Sequence, residues 1–248
     1  LAHADLYDEL LLGEVMRGFH GGAWYNVGLW RDATDPQAAC AALVARVAAA
    51  VVGTPARVLD VGCGIGGSTA ALAACWPDAA LTGIGISERQ LARARATCPD
   101  ARFIHADAVA TPFGDAAFDA VIAIESALHF DARALFFAEA RRLLAPGGTL
   151  ALADLLAPSA AWPGAWSVPA ANLGWTADRY AHELERAGFI DVAVSDVTAD
   201  TWMRYIDSFS AHVADLPDDD MAWRASARAL REGEQPVYVV ASACAPRG

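Results

Sequence analysis

Apolar residues along this chain follow two different rhythms. Ala4 to Arg17 places Leu6, Leu10 and Val15 at helical spacing, which predicts an amphipathic helix. An aromatic, glycine-containing loop from His20 to Trp30 follows, and Asp35-Pro36 then reads as an N-cap with proline at the first helical position, opening a helix to about Val52. From Arg57 the rhythm changes to short apolar runs alternating with helical stretches. The runs predict strands at Arg57–Val61, Ala80–Ile84, Ala101–His105, Phe118–Ile124 and Thr149–Ala153, with helices between them at Gly67–Cys75, Ser87–Thr97 and Asp131–Leu144. Ala145-Pro146-Gly147-Gly148 offers proline and glycine in the order of a type II turn. A helix over Thr176–Ala187 should stop at Gly188 in a Schellman motif with Phe189. Strands at Asp191–Val197 and Pro236–Ala243 flank a helical stretch from Thr201 to Arg231. Strand and helix in alternation mark βαβ units, so the fold class is α/β: a mostly parallel sheet of seven strands with helices on both faces. We read residues 1–248 as one domain, with a helical cap over 1–53 and additions at 155–175 and 199–232.

Composition narrows the function. With 248 residues and 55% hydrophobic content, the chain can bury a sizeable core. A formal net charge of −12 repels polyanions and argues against a nucleic-acid partner. Cys40, Cys63, Cys75, Cys98 and Cys244 are odd in number and form no CxxC pair, which fits reduced thiols in a cytoplasm better than disulfides or zinc. The apolar stretch Ala38–Val52 is broken by Arg46 and too short to span a bilayer, and the acidic first residues lack the basic start of a signal peptide. The expectation is a cytoplasmic protein, monomer or homodimer, with no membrane partner.

The segment Val58-Leu59-Asp60-Val61-Gly62-Cys63-Gly64-Ile65-Gly66-Gly67 is a buried strand entering a glycine turn and a helix. Glycines there let backbone approach a ligand and let a helix N-terminus face it. Gly62, Gly64 and Gly67 also satisfy GxGxxG, so the segment alone could serve a nicotinamide dehydrogenase. Asp60 can orient the ammonium group of an amino-acid ligand. Asp107, beside Ala108 after the third strand, can accept the amine hydrogen of adenine. The dehydrogenase alternative lacks a Tyr-Lys pair, since the chain contains no lysine.

From about Trp24 to Ala243 the sequence resembles the class I S-adenosylmethionine (SAM)-dependent methyltransferases, on "VLDVGCGIGG", "HADAVATPFGDAAFDAVIAIESALHF" and "LLAPGGTLALADLL" in that order. Within that family it is similar to the small-molecule branch acting on sterols, tocopherols, sugars and polyketides. The resemblance implies a Rossmann-like sheet whose last strand is antiparallel, SAM as cofactor with S-adenosylhomocysteine as product, and a small-molecule acceptor. It implies cofactor contacts from Tyr25, from the loop Gly62-Cys63-Gly64, from Ile86, Ser87 and Gln90, and from Glu125 at the methionyl end. Relatives usually end the second strand on an acid that grips the ribose; here Gly85 stands there, and Ser87 and Gln90 are the implied substitutes. Ser87 and Gln90 also read as a plain capping box.

Methyl transfer needs an oriented acceptor and a base. Orientation can remove roughly 7–11 kcal/mol of barrier and a base adds about 10²–10⁴-fold. His129, after strand four, aligns with a histidine that is the base in sugar and natural-product O-methyltransferases; an imidazole titrating near ~6.5 suits the task. Asp154, ending strand five, aligns with an acidic position that could orient His129 or bind the acceptor hydroxyl. Each has a bland alternative, a packed loop histidine and a turn cap. Trp162, Trp166, Trp175 and Trp202 fit an aromatic acceptor pocket or simply the core, and Trp24 and Trp30 fit a water-excluding cover. Asp218-Asp219-Asp220 reads as a solvated turn, and no metal is expected. A SAM-bound catalyst that does not methylate, such as a cyclase, or a pseudoenzyme is the alternative on the same fold.

Overall fold

Side chains of the central strands are apolar on both faces, and this dictates a three-layer architecture. In β1 (Arg57–Val61) Val58 enters one apolar cluster and Leu59 the other. In β4 (Phe118–Ile124) Ala120 and Ile122 join the first cluster, while Val121 and Ala123 join the second. A strand buried on both faces needs helices on each side. The computed structural model, which describes residue 8 and residues 13–164, 168–217 and 221–247, supplies them. The first face packs against α1 (Glu14–His20), α2 (Pro36–Ala48), α3 (Gly67–Cys75) and the later α7 (Trp202–Ala214). The second packs against α5 (Arg133–Leu143) and α6 (Ala177–Arg186), where Phe136, Phe137 and Tyr180 are fully buried. Each such ring contributes roughly 1.5–3 kcal/mol by leaving water. Between them α4 (Glu88–Thr97) covers Phe103 and Cys63 through Leu91 and Ala94, and α8 (Met221–Glu232) lies beyond α7.

With β2 (Ala80–Gly85), β3 (Arg102–His105), β5 (Leu144–Leu156), β6 (Ile190–Asp196) and β7 (Val237–Cys244), the sheet has seven strands in the order β3-β2-β1-β4-β5-β7-β6. β7 pairs antiparallel with both β5 and β6 and is the reversed strand, as the resemblance implied. Chain order reverses between β1 and β4, both parallel, and a crevice opens beyond their carboxyl ends.

Local signals held at the caps. Asp35 accepts from Ala38 N at 2.9 Å, and Thr176 accepts from Arg179 N at 3.2 Å. Gly188 adopts φ +90° and Phe189 N reaches Leu184 O at 3.3 Å, the expected Schellman closure. Two boundaries differ. The helix expected to reach Val52 ends at Ala48, because Ala50 and Val51 bond back three residues to Val47 and Ala48 in a tightened last turn. The turn expected at Ala145–Gly148 lies inside β5 rather than before it: Leu144 already pairs with Phe118, Gly147 takes φ +78°, the positive value a type II turn needs at its third residue, and Gly147 N bonds Ala245 O across the sheet. The helix expected over Ala4–Arg17 does not continue through Gly13, which is extended at φ −68°, ψ 150° and caps a separate helix, Glu14–His20, closed by Gly21 at φ +69°; the expected apolar residues Leu6 and Leu10 lie outside the described residues.

Candidate active site

The glycine loop after β1 is shaped by what a side chain would strike. Gly62 has φ +73°, and a Cβ there would sit 2.3 Å from Ser126 Cβ; one on Gly67 would sit 2.0 Å from Ala23 O. The loop is therefore pressed between the end of β4 and the N-terminal loop, leaving a cavity walled by Gly62, Cys63, Gly64, Ser68, Gln90 and Glu125. Cys63 contributes shape only: burial pushes its thiol well up, so it stays protonated. Asp60 is buried behind this wall and does not line the cavity. It accepts from Ser68 Oγ at 2.8 Å and Thr69 Oγ1 at 2.7 Å. Burial raises its pKa while the two hydroxyls oppose the rise. Asp60 thus holds the first turn of α3, and Ser68 is the group it presents to the cavity.

At the far corner, Ile86 is 49% exposed and lines the cavity, an apolar surface for a flat ring. Ser87 caps α4 by accepting from Gln90 N at 3.2 Å, but the reciprocal half of the capping box does not form. Instead both side chains turn to Asp8: Ser87 Oγ donates to its Oδ1 at 2.6 Å and Gln90 Nε2 at 2.9 Å. Asp107 is exposed at the end of β3 and accepts from Val109 N at 3.0 Å; neither it nor buried Ala108 lines the cavity.

Glu125 follows β4 with φ +51°, an uncommon backbone state for glutamate. It is held there by Ala153 O, which accepts from Glu125 N at 2.7 Å, and it lines the cavity. Its Oε1 accepts from Tyr238 Oη at 2.6 Å and from Val27 N at 2.7 Å, joining β7 to the N-terminal loop. Burial pushes its carboxyl up to about 7, against the pull of Tyr238 and Val27 N and with a further push from Asp154. Tyr25 lines the same cavity, and burial followed by the charge of Glu125 raises its phenol pKa.

His129 ends a short 3-10 turn, Ala127–His129, and also lines the cavity. Its neighbours are clamped by Asn172, whose Nδ2 donates to Leu128 O at 3.0 Å and Phe130 O at 2.7 Å. Asn172 Oδ1 accepts from Arg133 N at 2.9 Å, and Arg133 Nη1 donates back to Asn172 O at 2.6 Å. Arg133 Nε donates to Asp154 Oδ2 at 2.7 Å, and Tyr180 Oη adds a bond to the same oxygen at 3.1 Å. Arg133, Asp154 and Asn172 are fully buried. This corrects the expectation for Asp154: it neither lines the cavity nor reaches His129 directly, because Arg133 neutralises it beneath the turn.

The family described as "Methyltransferase domain" matches residues 58–148. O-methyltransferase cnsE of Penicillium expansum is 37% identical over 164 residues, covering 61% of this chain and 57% of that protein. 27-O-demethylrifamycin SV methyltransferase of Amycolatopsis mediterranei is 35% identical over 225 residues, covering 84% of this chain and 79% of that protein. The chain belongs to the SAM-dependent methyltransferases. A solved structure of the cyclase SpnF superposes on this methyltransferase with a TM-score of 0.83 and 26% identity, over 99% of this chain and 96% of that one. The cavity fits the cofactor in shape and chemistry. Two glycine positions leave no room for Cβ atoms, and an exposed isoleucine, an amide and a half-buried carboxylate with no cation among the described residues are spread along the wall.

A second, largely apolar cleft of about 630 Å³ adjoins this cavity, and Tyr25 lines both. Its walls include Met16, Tyr205, Phe209, Trp223 and Leu230. Of the tryptophans weighed for this purpose, Trp162, Trp175 and Trp202 do not line it. Trp175 packs against Phe137 and Tyr180 under the Arg133 guanidinium, and Trp162 and Trp202 pack on each other at 5.6 Å. Trp30 is buried as an anchor, donating from its indole to Val27 O at 2.6 Å, while Trp24 is half-buried. Trp166 and Asp218–Asp220 lie outside the described residues. Among the described residues no helix is long and apolar enough to cross a membrane. Sequence reasoning missed Asn172, Arg133, Tyr238 and Asp8. Their polar groups matter through partners distant in the chain, and no local spacing marks them.

Proposed function

We propose that this methyltransferase moves the SAM methyl group to a hydroxyl oxygen of a small, largely apolar molecule, with His129 as the general base. The observation that carries this reading is that His129, on its Asn172-clamped turn, lines the same cavity as the glycine loop and Glu125. When bound, SAM supplies a methyl on a sulfonium whose departure leaves a neutral thioether. The loop Gly62-Cys63-Gly64 and Ser68 receive its amino-acid end, with Asp60 fixing Ser68 from behind. Ile86 takes a face of the adenine. Glu125, with no cation among the described residues, faces the positive methionyl end. Tyr25 stands between the cofactor cavity and the apolar cleft, where the acceptor's apolar body is desolvated. His129 takes the proton that the acceptor hydroxyl loses as its oxygen–carbon bond forms, so no charged oxygen is left in the cavity.

The test is incubation with SAM and a panel of phenols, sugars and carboxylic acids, reading S-adenosylhomocysteine release. His129→Ala should lower kcat by about 10²-fold, the size of a lost base, with SAM affinity unchanged. Unchanged kcat removes His129 from the mechanism. The likeness to the SpnF cyclase favours one competing reading, a SAM-bound catalyst without methyl transfer. It predicts a rearranged product with no S-adenosylhomocysteine.

A further inference from the structure

Asp8 is 3% exposed and bonds Gln90, which lines the cofactor cavity, though it precedes the glycine loop by a long stretch of chain. Its Oδ1 accepts from Ser87 Oγ at 2.6 Å and Gln90 Nε2 at 2.9 Å, and Arg89 Nη1 lies 3.6 Å from Oδ2. A carboxylate paired with a guanidinium only accepts, so the Gln90 atom facing it must be the amide nitrogen. The amide oxygen then points the opposite way. Gln90 Oε1 is the nearest atom to the position of a Cβ on Gly64, at 4.0 Å, so it looks across the cavity at the glycine loop. Among the described residues no hydrogen bond to Oε1 is formed. Meanwhile Gly85, at the end of β2, offers no side chain, although only Leu91 Cδ2, at 3.6 Å, stands near its Cβ position.

The geometry points to Asp8 as a positioning residue for the cofactor's ribose: by taking the amide nitrogen of Gln90, it leaves the amide oxygen as the acceptor for the ribose hydroxyls. This rests on the SAM reading of the cavity. An unheld glutamine could turn either end of its amide to the ligand, and a nitrogen there meets a hydroxyl as donor to donor unless the hydroxyl rotates. Asp8 removes that ambiguity. It also makes Asp8 itself part of the nucleoside site, since it must be in place before Gln90 is set.

Isothermal calorimetry on the full chain tests this with two probes, S-adenosylhomocysteine and its 2′,3′-dideoxy analogue. Asp8→Ala should weaken S-adenosylhomocysteine by about tenfold, near one hydrogen bond's worth. The same variant should bind the dideoxy analogue as the wild type does, because that ligand has no hydroxyl for Oε1 to receive. Asp8→Asn keeps an oxygen that accepts from Gln90 Nε2 and should restore binding to within about threefold. Equal loss for both probes marks a purely structural role and overturns the inference alone, as does no loss for either. Failure of the wild type to bind S-adenosylhomocysteine overturns the cofactor reading and this one with it.

Discussion

The carboxyl ends of β4 and β5 lie side by side, and each carries a carboxylate, Asp154 fully buried and Glu125 half-buried, yet they are built for different purposes. At the β5 end Asp154 has a cation: Arg133 Nε at 2.7 Å, with Leu155 N at 2.9 Å and Tyr180 Oη at 3.1 Å completing its shell. At the β4 end Glu125 meets neutral donors alone among the described residues, Tyr238 Oη and Val27 N, and burial holds its carboxyl up to about 7. The paired carboxylate is closed off and spends its charge on Arg133, which in turn fixes Asn172 and the His129 turn. The unpaired one lines the cavity and is electrostatically incomplete. A buried charge that already has its counter-ion belongs to the scaffold, whereas one that lacks it is prepared for a cationic ligand.

Removing one partner of the β5 pair should have the largest effect. Arg133→Met leaves Asp154 buried without its cation and should cost about 3–5 kcal/mol in chemical denaturation, with Arg133→Met/Asp154→Leu recovering much of that. A double variant as unstable as the single one would show that the pair is not the cause. At the β4 end the effect is set by pH. Glu125 titrates near 7 in the fold against an ordinary 4.5, so the native chain holds more protons between those values. Its contribution to stability is therefore complete below about 4.5 and is lost as pH rises through 7, by about 3 kcal/mol in total. Glu125→Gln should flatten that part of the stability–pH curve and be the more stable protein at pH 8; parallel curves for both would break the contrast.

Smaller still is the link from Asp154 to the reaction. Asn172→Ala frees Leu128 O and Phe130 O, and should lower kcat about tenfold without changing SAM affinity, as expected when orientation loosens rather than binding. A loss confined to KM would show that the turn serves the acceptor instead. The smallest effect belongs to an ion pair at the opposite, amino end of β1. Arg57 Nη2 lies 2.7 Å from Asp119 Oδ1 with both side chains partly exposed, so Arg57→Ala should cost under about 1 kcal/mol. A cost equal to that of Arg133→Met would mean that burial is not what separates these pairs.

Much of this layout was legible from short-range pattern. β1 and β4 fall where their apolar runs begin and end, and Asp35 and Gly188 cap the helices they were read to cap. The glycine loop was legible for the same reason, a glycine turn after a buried strand, while His129 was singled out through the family resemblance and lines the same cavity. The sequence by itself therefore determined which segments form strands and helices, and that a ligand crevice opens beyond β1 and β4, because backbone preference and periodicity act over a few residues. Only the tertiary structure decided which partner each buried polar group meets. Asp154 is set by Arg133, Glu125 by Val27 and Tyr238, and Gln90 by Asp8. The physical reason is that the cost of burying a charge or an amide depends on what the fold brings within hydrogen-bond distance, and spacing along the chain carries no record of that.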